Sequence, residues 1–191
     1  CREGAELTQR SLYRANELVH SFKQVAVDQS SERRRAFDLA ATLQEVVDTL
    51  RPNIKGKPWT IGLDVAPGIA MESYPGPLGQ VVINLVMNAL LHAFDGRETG
   101  SVVLQAGPAE GGQVTLTCSD NGNGIASEHL ARIFDPFFTT KLGQGGSGLG
   151  LAIVHRLVGQ VLQGDIVVDS APQQGTRFVL TLPLVVAELE I

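Results

Sequence analysis

Cysteine is nearly absent from this chain: Cys1 and Cys118 are the only two among 191 residues. Two cysteines make neither a disulfide framework nor a four-ligand zinc site, and they suit a reducing compartment. Aromatic residues are scarce as well, at 5%, with a single tryptophan. Positive charge is in deficit. Lys and Arg number 15 against 20 Asp and Glu, a net charge of −5, so no broad phosphate-gripping face and no nucleic-acid partner are expected. No apolar run approaches the ~18 residues that span a bilayer. The polar start, CREGAELTQR, does not read as a signal peptide, so no membrane contact by this chain is expected. Apolar residues make up 43% of the chain and glycines number 21. That is enough for a core and excludes wholesale disorder. The length suits one domain plus an appendage.

Residues 3–29 read as one helix. Ala15, Leu18, Phe22 and Val25 recur at spacings of 3, 4 and 3, a narrow seam that needs a partner helix. The polar run DQSSERRR (28–35) interrupts the pattern and reads as a linker. Asp38 can cap a helix with Leu39, Leu43, Val46, Val47 and Leu50 on one face, ended by a turn in RPNIKGKP. WTIGLDV (59–65) alternates as a half-buried strand, and residues 77–94 form a strongly apolar helix. Residues 101–107 and 113–120 read as a hairpin, 127–133 as a short helix. A Gly-rich loop (143–150) feeds a helix ending near Gln163, and 165–170 and 176–182 close the chain as a strand pair. The class is α+β: a two-layer sandwich in which helices cover one face of a mixed, mostly antiparallel sheet.

Four segments carry chemistry. In QVVINLVMNALLHAF, Gln80, Asn84, Asn88 and His92 fall at i, i+4, i+8 and i+12 and share one face of an otherwise apolar helix. Buried amides cost a few kcal/mol unless they are hydrogen-bonded or coordinate something. The stripe therefore suits a site, and equally an ordinary solvated face or amides that cap loops. Asp120-Asn121-Gly122-Asn123-Gly124-Ile125 follows a strand and can present a carboxylate beside a backbone that a ligand approaches closely. A plain Asn-Gly turn fits it too. FDPFFTTK (134–141) gathers three phenylalanines and ends in Lys141, a point charge able to reach a phosphate. A small apolar cluster is the simpler account of that segment. GQGGSGLGL (143–151) opens a helix whose free N–H groups can hold an anion. It is neither a P-loop nor a Rossmann turn.

Taken in order, Asn-x-x-x-Asn-Ala, Asp-x-Gly-x-Gly, Phe-x-Pro-Phe-Phe, Gly-x-Gly-Leu-Gly-Leu and Gly-Thr-Arg-Phe resemble the ATP-binding catalytic domain of sensor histidine kinases. That domain belongs to the superfamily of DNA gyrase, the Hsp90 chaperones and MutL. The resemblance covers residues 37–183 and implies a nucleotide held between the helix layer and a lid. It implies ATP and Mg²⁺ as cofactors, with Asn88 as the Mg²⁺ ligand and Asp120 accepting the adenine amino group. Gly122 and Gly124 would let the base lie against the backbone, with Ile125 in the same motif. Phe134 and Phe138 would anchor the lid. Gly146, Gly148, Leu149 and Gly150 would form the second glycine box on the phosphates, Thr176 would support the adenine pocket, and His92 would lie near the phosphates. Leu91 departs from the Lys or Arg common at its position, so that phosphate contact is either missing or supplied by Lys141.

Hydrolysing members of the superfamily place a Glu four residues before the metal Asn. Here that position is Asn84, and an amide cannot take a proton near neutral pH. Transfer to an acceptor His is therefore expected over hydrolysis, with catalysis mostly by positioning and charge neutralisation. None of His20, His92, His129 and His155 lies in an acceptor-like box, so the acceptor helix is expected upstream of Cys1. His129 is expected to be solvated and His155 to sit on a helix face. Residues 1–30 would then be the second helix of the dimerisation hairpin, 31–36 a linker, 37–183 the ATP-binding domain and 184–191 a tail. The implied partners are that hairpin and a response regulator receiver domain. The parent would be a homodimer in the cytoplasm, with the inner membrane as an anchoring place. A nucleotide-binding regulatory module without kinase output is the alternative. A serine kinase of the anti-sigma type and a simple ATPase rank lower.

Overall fold

The computed structural model describes residues 33–141 and 146–187. The helix expected over 3–29, with His20, lies outside them, as does the end of the tail.

The chain enters as strand β1, Arg35–Asp38, and turns directly into helix α1, Leu39–Ile54. Asp38 is the cap: its side chain accepts the Ala41 N–H at 2.8 Å, satisfying one donor that the first helical turn leaves open. Leu39, Leu43, Val46, Val47 and Leu50 form the buried face. The helix runs through Pro52 to Ile54, past the turn expected from Arg51. Within the last turn a proline removes only one backbone bond, so the helix survives it.

Strand β2 (Trp59–Val65) follows, then β3 (Ala70–Ser73), then helix α2, Pro75–Asn88. Pro75 opens α2, where its missing N–H costs nothing. Beyond Asn88 the chain stays helical as a π-helical turn, Ala89–Ala93. The helical stretch Pro75–Ala93 has 19 residues and a mean hydropathy of 1.2, enough by length and composition alone to cross a membrane. Here half of it is buried against the protein, and Leu78, Val81, Val82, Leu85 and Val86 are core residues.

Strands β4 (Gly100–Ala109) and β5 (Gln113–Asp120) form the expected hairpin. A single short helical turn, α3, covers Ser127–Leu130. Helix α4 (Gly150–Arg156) continues as a π-helical turn, Leu157–Val161, and strands β6 (Asp165–Ser170) and β7 (Thr176–Pro183) complete the chain. The five-stranded sheet has the order β2-β4-β5-β7-β6, with only β2 and β4 parallel.

Two rows across this sheet face the helices. Ala106, Leu116, Leu180 and Ile166 make one; Leu104, Cys118, Phe178 and Val168 make the next. The third row in register, Val102, Asp120, Thr176 and Ser170, lies on the same face, and three of its four members are polar. The core thus changes from apolar to polar at one end of the sheet. The α+β sandwich with helices on one face is as expected.

Strands β1 and β3 form a separate antiparallel sheet that the sequence does not announce. Four residues between turns are too few for an alternation to show. Val185 bridges to Glu72, and the Val186 N–H donates to Glu72 O at 3.0 Å. Arg34 ties both ends together: Nη1 pairs with Glu72 at 2.8 Å and Nε donates to Val186 O at 2.8 Å. Strand β1 begins inside the stretch read as a linker, and residues 184–187 pack on the domain.

Candidate functional site

A cavity of about 530 Å³ opens between α2, the loop after β5, the segment 133–141 and the start of α4. From α2 and the π-helical turn that continues it, the cavity takes Ile83, Asn84, Met87, Asn88, Leu91 and His92. The polar stripe therefore faces the cavity from Asn84 onward. Gln80 stands outside the lining, and its Nε2 donates to Asn84 Oδ1 at 3.2 Å. That bond uses the Asn84 oxygen while its buried Nδ2 has no partner among the described residues. The Asn88 side chain, in the cavity lining, makes no hydrogen bond to the described residues, so its amide oxygen is free to ligate.

The loop after β5 is pinned on several sides. Asn123 N–H donates to Ala93 O, and Asn123 Nδ2 donates to Asp95 O, both at 2.8 Å. Ile125 N–H donates to Ser170 Oγ at 2.9 Å, and Arg97 donates to Asn121 O. The glycines here serve the protein's own packing. A side chain on Gly122 would overlap Ala93, and one on Gly124, whose φ is +68°, would overlap Ala171 O. Gly124 and Ile125 line the cavity; Gly122 is buried behind it.

Asp120 ends β5. Its Oδ1 accepts two amides, Gly122 N–H at 2.8 Å and Thr176 N–H at 3.3 Å. Burial pushes its carboxyl above the usual range, while those two amides and Arg97 pull it back. Thr176 Oγ1 lies 3.0 Å from Ser170 Oγ, which also donates to Gly175 O at 2.8 Å. Cys118, next in the core, is pushed up to about 12 by burial and by Asp120, so it stays a neutral thiol.

The phenylalanine segment splits its roles. Phe138 lines the cavity between His129, with ring centroids 5.5 Å apart, and the Arg132 guanidinium, 4.8 Å from its centroid. Phe134 packs on His155 at 5.2 Å, outside the lining, and His155 is exposed on its helix face. Phe137 is 66% exposed with φ at +67°, and its N–H donates to Gly148 O at 2.8 Å. His129 is not fully solvated as expected; it is half-buried and lines the cavity, because Phe138 draws its ring inward.

Gly146, Gly148 and Gly150 line the cavity; Leu149 does not, and its N–H is taken by Ser147 Oγ at 3.3 Å. Lys141 crosses to the end of α2. Its Nζ donates to Leu91 O at 2.9 Å and pairs with Asp95 Oδ2 at 3.0 Å. His92 sits beside this pair, and burial, then Lys141, hold its pKa below the ordinary value against the pull of Asp95. Burial and Lys141 thus both favour the uncharged imidazole there.

The site therefore gathers Asn84, Asn88, His92, Gly124, Ile125, Phe138, Lys141, Gly146, Gly148 and Gly150 on one cavity. Asp120, Gly122, Phe134, Leu149 and Thr176 lie outside its lining. Sequence reasoning missed Thr139, Thr140, Ile83 and Met87 as lining residues. Ile83 and Met87 were legible in principle, each one position before a stripe amide.

Among the described residues no three His, Cys, Asp or Glu side chains gather to hold a metal ion. A divalent ion here would need oxygen from Asn88, from water and from the ligand itself. A hard ion such as Mg²⁺ accepts that mixture.

The family described as histidine kinase-, DNA gyrase B-, and HSP90-like ATPase matches residues 74–186. The sensor histidine kinase RcsC of Escherichia coli strain K12 is 31% identical over 172 residues, 87% of this chain and 18% of RcsC. The chain spans about a fifth of the length of such curated relatives. The nucleotide-free catalytic domain of the histidine kinase ThkA superposes with a TM-score of 0.70 at 27% identity, covering 80% of this chain and 97% of ThkA's. Full-length ShkA in complex with AMPPNP gives 0.71 at 29%, covering 93% of this chain and 36% of ShkA's. The chain belongs to the histidine kinase-, DNA gyrase B- and HSP90-like ATPase family, with the fold of a histidine kinase catalytic domain.

Proposed function

We propose that this chain is the catalytic half of a protein-histidine kinase, which binds Mg-ATP and positions its γ-phosphoryl group for transfer to a histidine on a dimerisation hairpin. The observation that carries this reading is one cavity flanked by Asn84, Asn88 and His92 on one side and the Gly-rich start of α4 on the other. Asn88 would hold Mg²⁺ through its amide oxygen, and the ion would bring neutralising charge to the phosphates. Asp120 would select adenine through its second oxygen, Oδ2, which carries no hydrogen bond from the described residues. Phe138 would anchor the segment over the nucleotide. The backbone of Gly146, Gly148 and Gly150 would meet the phosphates, and Lys141 would add a cation. Asn84, an amide, stands where the hydrolysing relatives place a general base and takes no proton from water, so the phosphoryl group waits for the acceptor.

The partners that go with this reading are the hairpin, a response regulator and a second copy of the parent protein, in the cytoplasm. The test is calorimetric titration with ADP and a non-hydrolysable ATP analogue, with and without Mg²⁺, using GTP as control. Adenine-selective binding that Mg²⁺ strengthens for the triphosphate is the expected result. No binding at millimolar nucleotide would overturn it. Supplying the acceptor helix should then restore phosphotransfer, and label recovered on His20 of the chain alone would contradict the expected acceptor.

A further inference from the structure

Lys141 is the only Lys or Arg among the described residues that line the cavity. Its side chain is 18% exposed, whereas its partner Asp95 is 68% exposed. The ammonium is thus set into the cavity wall, and the carboxylate that neutralises it stands at the rim. The second bond, to Leu91 O at 2.9 Å, keeps Nζ beside α2 whether or not Asp95 is engaged. His92 nearby is held toward its neutral form by burial.

We propose that Asp95 is a specificity-determining residue of this site, competing with the terminal phosphates of the nucleotide for Lys141. The proposal rests on the nucleotide-site reading above. A polyphosphate entering the cavity meets an ammonium already paired, and it gains Lys141 only by displacing or sharing the carboxylate. The displacement costs more for a ligand that engages Lys141 strongly. Asp95 therefore lowers the preference for triphosphate over diphosphate and keeps exchange between them easy. Because Asp95 stands at the solvent-screened rim, the shift in binding is modest, about two- to fivefold.

Asp95→Asn keeps the side-chain shape, and the Asp95 carbonyl still receives Asn123 Nδ2. The test is calorimetry on the whole chain with Mg²⁺, using adenosine, ADP and a non-hydrolysable ATP analogue. Asp95→Asn should tighten the analogue about two- to fivefold, ADP less, and adenosine not at all. The gain should shrink in high salt. Lys141→Met should weaken the analogue, and in that background Asp95→Asn should lose most of its effect. Unchanged or weakened analogue binding in Asp95→Asn would overturn the proposal. So would an equal gain with Lys141 already replaced. A wild-type chain that binds no nucleotide fails the underlying reading instead, and this proposal with it.

Discussion

Asp120 and Thr176 stand opposite each other in register on β5 and β7, and the Thr176 amide donates to Asp120 Oδ1 at 3.3 Å. The Gly122 amide takes the same oxygen at 2.8 Å. Two donors therefore fix which way the carboxyl group faces.

An asparagine at 120 would have to turn its oxygen toward those amides and present its NH₂ where Oδ2 stands. A donor would then meet the adenine amino donor. Asp120→Asn should weaken adenine-nucleotide binding about tenfold or more in a calorimetric titration.

The same substitution should raise stability at neutral pH. Burial raises the folded-state pKa of Asp120, so its favourable contribution is present in acid and lost as pH rises through the raised value. Asp120→Asn should melt higher than wild type at pH 7. The gap should close as pH falls into the carboxylate range. A gap that stays constant from acid to neutral pH would remove the buried charge as its cause.

Gly148 and Gly150 should respond oppositely to alanine. Gly148 has φ at +72°, and a Cβ there would lie 2.5 Å from the Phe137 backbone. Gly148→Ala should cost about 1–3 kcal/mol and weaken triphosphate binding, read by melting and titration. Gly150 opens α4 with nothing within 4 Å of such a carbon. Gly150→Ala should leave stability unchanged or raise it by up to about 1 kcal/mol.

Asn88→Ala should abolish the Mg²⁺-dependent part of triphosphate affinity and leave adenosine binding intact. Titration of both ligands with and without the ion separates the two. Equal loss for adenosine would make Asn88 a structural residue instead.

Asp38→Ala should cost about 1 kcal/mol through the lost cap. That corresponds to a melting point lower by about 2–4 °C, with nucleotide affinity unchanged.

Helices α1, α2 and α4, the hairpin and the closing strand pair were legible because their apolar periods are long, and in α1 the period agrees with its cap. Asp38 followed by Leu39, Leu43, Val46, Val47 and Leu50 is such a case. β3 was not legible, since Ala70–Ser73 sits between Pro/Gly turns and its pairing with β1 is a tertiary fact. At the site, spacing alone aligned Asn84, Asn88 and His92. It could not show that Gly122 and Gly124 are demanded by Ala93 and Ala171, nor that Lys141 folds back to Leu91 and Asp95. Those contacts join segments far apart in the chain, where no local pattern records them. His129 was misjudged for the same reason: a polar helical turn looks exposed until an aromatic ring from elsewhere lands on it.

The small sheet of β1 and β3 also acts as a handle on α2. β3 runs into Pro75 with only Tyr74 between, and Arg34 clamps β3 to the segment at Val186. A stiff helical rod thus starts at the clamp, and Asn88 rides about 20 Å along it. Arg34 is thus joined, through Glu72 on β3 and the single residue Tyr74, to the helix that ends at Asn88.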